Sequence, residues 1–154
     1  MRKFPLFWLS LLLGGASAGC GSKGSVALTV IADNPEVTVE SGVLASEVAG
    51  SFRVELTLGE YAEDSTSVSL GAFSIQRDAE DVLSPLSLGG QTFPVIVDVG
   101  ASKSFTLTFL QDGTPEEGKS LCEGDLELVG SFTDSLSGDR PTPARTAAFE
   151  PSCD

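Results

Sequence analysis

Histidine is absent from the 154-residue sequence. Its absence removes the commonest general base, the usual partner of a nucleophilic Ser or Cys, and most zinc and copper sites. Carboxylates, Lys, Cys and the single Tyr61 remain for chemistry. Positive charge is also scarce, with 9 Lys+Arg against 22 Asp+Glu and a formal net charge of −13. A surface this negative repels phosphate backbones and anionic headgroups, so nucleic acid is excluded as a partner and peripheral lipid attachment is disfavoured. No apolar run approaches the ~20 residues that a membrane-spanning helix needs. No dinucleotide-type glycine motif leads into a helix. Gly113 to Ser120 fits the string of a phosphate-cradling loop, but Pro115, Glu116 and Glu117 within it oppose phosphate, and Leu121-Cys122 follows where an apolar helix is required. No cofactor and no catalytic activity are expected.

What is present begins at the N-terminus, MRKFPLFWLSLLLGGASAGC. Arg2 and Lys3 precede an apolar stretch from Phe4 to Leu13, and small residues run from Gly14 to Gly19. That is the basic, apolar, small-residue order of a secretory signal peptide. Two processing readings are open. Ala16-Ser17-Ala18 fits the small-x-small site of ordinary signal peptidase, which releases a chain starting near Gly19. Ser17-Ala18-Gly19-Cys20 resembles the lipobox of bacterial lipoproteins, although Ser17 stands where that family most often has Leu.

The lipobox resemblance implies that residues 1–19 are removed and that Cys20 carries the lipid. A flexible tether over 20–25 and a folded domain over 26–154 then follow. Gly21-Ser22-Lys23-Gly24-Ser25 has the small, polar composition of such a tether. Gly21, rather than Asp, after the Cys points by the same resemblance to the outer membrane. The mature chain then has 7 basic against 22 acidic residues.

Beyond Ser25 the periodicity is two, not 3.6. Phe52, Val54, Leu56 and Leu58 alternate with Arg53, Glu55 and Thr57, which predicts a strand with one dry face. Phe105, Leu107 and Phe109 alternate with Thr106 and Thr108. Val26, Leu28 and Val30 predict an opening strand, and Val37 with Val39 a shorter one after an Asn34-Pro35 turn. Around Val68, Leu70, Phe73 and Ile75 the alternation changes phase near Gly71, as at a β-bulge. Phe93, Val95 and Val97 form another run, which Pro94 places at an edge or a strand start. Turn clusters occupy 60–65, 77–81, 89–90, 99–102 and 112–119. Seven to eight short strands at this spacing predict an all-β antiparallel sandwich.

Three cysteines in an oxidising compartment leave one thiol over unless Cys20 is lipidated; Cys122 and Cys153 then form one pair. They are equidistant from a hairpin centre at Ser137-Gly138. The same register sets Leu126 against Phe149 and Leu128 against Ala147. A wide tip loop is expected over Asp134 to Pro143. In the chain-entropy model a disulfide closing this segment contributes about 3–4 kcal/mol.

The stretch from Asp98 to Phe109, DVGASKSFTLTF, resembles the Gly turn and alternating strand of many bacterial immunoglobulin-like lipoprotein domains. The resemblance implies an immunoglobulin-like sandwich and no particular function.

Acidic residues cluster in turns, at Glu60, Glu63 and Asp64, at Asp78, Glu80 and Asp81, and at Asp112, Glu116 and Glu117. Carboxylate oxygens in the end loops of a sandwich suit Ca²⁺, although none of these clusters has the spaced ligand pattern of a calcium loop. The expected role is a lipid-anchored protein of the cell envelope, structural, adhesive or accessory-binding, with a protein partner there. The alternative is a calcium-dependent or small-ligand binding domain. The Asp134 to Pro143 loop, with Arg140, is the expected contact feature.

Overall fold

Strict alternation produces long strands where one face must be kept dry, and the first hairpin shows it. The computed structural model describes residues 27–154; the expected signal segment, the tether and Cys20 lie outside them. Strands β1 (Leu28–Ser41) and β2 (Ser46–Leu58) pair antiparallel along nearly their whole length. Phe52, Val54, Leu56 and Leu58 are buried and Arg53 is exposed. The chain continues through β3 (Thr66–Arg77), β4 (Glu80–Leu83), β5 (Leu88–Gly89), β6 (Val95–Val97) and β7 (Ser102–Gly113). Helix α1 (Pro115–Leu121), β8 (Glu127–Asp134), β9 (Gly138–Arg145) and β10 (Ser152–Cys153) complete it.

Two sheets face each other. The first has the order β10-β1-β2-β7-β5 and the second β4-β3-β8-β9, with β6 also paired to β3. With β1, β2, β7 and β5 taken as A, B, E and D, and β4, β3, β8 and β9 as C′, C, F and G, this is the strand order of an immunoglobulin-type sandwich. Instead of an intersheet disulfide and a tryptophan, the middle of the core holds phenylalanines. Phe52 of β2 lies 5.3 Å, centroid to centroid, from Phe73 of β3, which meets Phe132 of β8 edge-on at 5.6 Å. Phe93 extends the cluster to Phe105 and Phe132.

Two glycines make room for core rings. Gly130 stands opposite Phe73, and a Cβ there would collide with the Phe73 ring. Gly50 stands opposite Phe109, and a Cβ there would collide with the tip of the Phe109 ring and with the Glu36 carbonyl.

The phase change near Gly71 is a bulge, since β3–β8 pairing shifts register between Leu70 and Phe73 and both halves stay inward. Several expectations are corrected. Among the described residues ten strands form, not seven or eight, because short segments at 88–89 and 152–153 also pair. Asn34-Pro35 is a bulge inside β1 rather than a turn: pairing with β2 resumes at Glu36, and Asn34 takes φ 49°. The 112–119 segment is not a turn but the last residues of β7 followed by α1. Thr114 caps α1 reciprocally with Glu117, and Pro115 takes its first turn.

The hairpin near the C-terminal end is also tighter than expected. Asp134 already pairs with Gly138, so Pro141 and Pro143 lie in β9, an edge strand where proline's missing N–H is tolerated. Leu126 opposes Phe149 as expected. Leu128, however, bonds Thr146 rather than Ala147: Thr146 N–H donates to its carbonyl at 3.0 Å, and its own N–H donates to Thr146 Oγ1 at 3.1 Å. The chain then leaves this hairpin, and β10 runs parallel to β1. Cys122 and Cys153 are joined in a disulfide with Cα atoms 6.1 Å apart. Among the described residues no helix is long and apolar enough to cross a membrane.

Candidate functional site

Strand direction gives the sandwich two chemically different ends, about 40 Å apart by the rise of a 13-residue strand. The near end holds the start of β1, the 59–65 and 98–101 turns and the β8–β9 turn. The far end holds the β1–β2 turn, the β3–β4 turn, α1 and the disulfide.

Register assembles charge at the far end. On the outer face of the first sheet Glu40 stands opposite Glu47, and Glu47 opposite Asp112. Three carboxylates thus lie in one row across β1, β2 and β7, and among the described residues none has an ion-pair partner. Like charges directly opposite are unfavourable. Beyond the row, the 42–45 turn projects Val43 and Leu44 into solvent at 95% and 92% exposure. Gly42 N–H donates to the Ala45 carbonyl at 3.0 Å. A Cβ on Gly42 would collide with that oxygen, so only glycine fits. Backbone bonds from Ser41 N–H to the Asp154 carbonyl and from Asp154 N–H to the Val39 carbonyl brace the base of the turn.

Beside it lies an open groove of 540 Å³ between the β3–β4 turn and α1. Asp78, Glu80 and Asp81 line one side and Glu116 and Glu117 the other, with Arg77 between them. Arg77 Nη2 donates to the Ser120 and Leu121 carbonyls, placing its cation on the negative end of α1. Its Nε is buried without a partner. Two of the carboxylates are committed locally. Asp81 accepts from Ser74 Oγ at 2.7 Å and Gln76 Nε2 at 2.8 Å, which together hold its carboxyl below the ordinary range. Glu117 accepts from the Thr114 N–H at 2.6 Å and is lowered for that reason.

At the near end, Asp134 is the chief buried polar group, 5% exposed. Its Oδ1 accepts from the Leu136 N–H at 3.0 Å, the Ser137 N–H at 2.9 Å and Thr66 Oγ1 at 3.2 Å. Its Oδ2 accepts from Ser137 Oγ. Burial alone would raise this carboxyl, but the Ser137 hydroxyl, the two amides and Thr66 together bring it below the ordinary range. A shallow apolar pocket beside it, 410 Å³ and lined in part by Leu28, Ala62, Glu63 and Leu136, opens near Ala27.

The three acidic clusters therefore do not meet at one site. Glu60, Glu63 and Asp64 sit at the near end, while Asp78, Glu80 and Asp81 share the far groove with Glu116 and Glu117. Among the described residues no three carboxylate or cysteine groups are placed to hold a metal ion. Asp112 belongs to the strand row rather than to the groove. Arg140, expected in a loop, lies on edge strand β9. Cys20 lies outside the described residues. Sequence reasoning passed over the Val43-Leu44 turn, whose signal was an apolar pair between two alternating stretches just where a hairpin turn takes polar residues. The chain matches no family model, no curated protein and no solved structure.

Proposed function

We propose that this chain is an exported cell-envelope protein, lipid-anchored through Cys20 to the outer membrane, whose sandwich serves a structural, adhesive or accessory-binding role without catalysis. The supporting observation is the polarity of the domain. Ala27 leads into β1 at the near end, whereas the exposed Val43-Leu44 turn and the acidic row lie at the far end. A tether on Cys20 thus holds the membrane-facing end and turns the chemically distinctive end outward. A calcium-dependent role has less support, because Asp81 and Glu117 are already engaged by neutral donors in their own turns.

The test is the intact mass of the membrane-extracted protein beside a Cys20→Ala version. The expected result is a diacylated chain starting at Cys20, with acylation and membrane retention both lost in the variant. A soluble, unmodified chain starting near Gly19 overturns the anchor.

A further inference from the structure

The geometry points to the β1–β2 turn as a docking knob for a protein partner that has an apolar socket bordered by Lys and Arg. This deepens the binding-module reading proposed above and rests on it, but not on the anchor. Val43 and Leu44 give nothing to the core, since both are almost wholly exposed. A tight hairpin turn is ordinarily built from Gly, Asn, Asp or Ser. Two large apolar groups held in water there act against solubility unless something covers them. The base of the turn is also braced. Gly42 closes against the Ala45 carbonyl, β10 bonds to the base of the turn, and the Cys122–Cys153 bridge fastens β10. A pre-shaped knob loses little conformational freedom on docking.

Charge identifies the occupant. Glu40, Glu47 and Asp112 form the row behind the knob, and Asp154 is bonded at its base. The cations at this end are Lys119 on α1 and Arg77, which is bonded to the α1 carbonyls. A second copy would bring the same carboxylates face to face, and an anionic bilayer would repel them. A cationic rim around an apolar socket satisfies both the knob and the row.

The experiment places a photo-crosslinking amino acid at position 44 of the full chain in its own cells. Positions 110 and 31, on the exposed face of the same sheet, are controls. The expected result is one discrete adduct from position 44, absent from the controls, whose crosslinked peptide is apolar and flanked by Lys or Arg. Val43→Ser, read from a crosslinker still at 44, is expected to lower adduct yield about 10-fold, as loss of one buried apolar side chain predicts. Glu47→Lys should lower it as well. At 95% exposure Val43→Ser leaves folding intact, which an unchanged melting curve checks. Equal adducts at all three positions, adducts to lipid, adducts to a second copy, or a crosslinked peptide without basic flanks each overturn the proposal. An unlipidated native chain that still forms the adduct would overturn the anchor alone.

Discussion

Replacing Asp134 by Asn tests whether a buried charge organises the β8–β9 turn. The amide keeps an acceptor for the Leu136 and Ser137 N–H groups and for Thr66, and the Ser137 hydroxyl can turn to accept from the new NH₂. What is lost is the charge assistance of these bonds, roughly 1 kcal/mol each, offset by the smaller cost of burying a neutral group. The expected net loss is about 2 kcal/mol at pH 7, or a Tm lower by roughly 8 °C for a domain of this size. The pH dependence carries the diagnosis. A carboxyl depressed in the folded state adds stability above its unfolded pKa and loses it as pH falls through the folded pKa. The difference between the two proteins should hold from pH 7 to about 5 and shrink as pH falls below about 4. Trp8 precedes the domain, so far-UV circular dichroism with urea is the suitable readout. A gap of the same size at pH 7 and pH 2, or an Asn variant at least as stable at pH 7, refutes the charge-assisted account.

Gly130→Ala should destabilise by about 2–3 kcal/mol, because the added methyl meets the Phe73 ring at the centre of the core; urea midpoints measure it, and a neutral result removes the ring-over-glycine packing. Glu47→Lys turns two repulsive cross-strand pairs, with Glu40 and with Asp112, into attractive ones and should stabilise by roughly 0.5–2 kcal/mol. That gain should fade in 1 M salt, where the Debye length is about 3 Å; persistence there would show that charge is not its source. Serine at both Cys122 and Cys153 should cost about 3–4 kcal/mol, read from urea unfolding with the slope fitted for each protein, because the open chain exposes more surface on unfolding.

The strands were legible where one face alternates over four or more residues, as from Phe52 to Leu58 and from Phe105 to Phe109. The bulge at Gly71 was legible because a phase change in the apolar pattern has only one cheap solution in a sheet. The register at Leu126–Phe149 followed from spacing alone, whereas the one-residue slip at Leu128 did not, because Thr146 substitutes a hydroxyl for a ladder bond. Helix α1 was signalled by Thr114-Pro115-Glu116-Glu117, a capping box with proline in the first turn. That signal was hidden under a turn-rich composition. The acids of each turn were visible locally. The Glu40–Glu47–Asp112 row was not, since only pairing brings together residues up to 72 positions apart in the chain. The Gly50–Phe109 and Gly130–Phe73 pairs are hidden for the same reason.

Strand β1 joins the two ends of the domain by itself, from Leu28 at the near end to Ser41 beneath the exposed turn. Tension applied between the N-terminal side and that turn would run along one strand and bypass the rest of the sandwich. A strand already rises ~3.3 Å per residue, close to the limit of a taut chain, so it has almost no length to yield. The bulge at Asn34-Pro35 is where slack is stored. Twelve paired positions with β2 keep the strand seated while it bears the load. The hydrogen bonds of that ladder run across the direction of pull and need not break for force to pass. Mechanically, the domain is a strut whose load path is a single segment of chain.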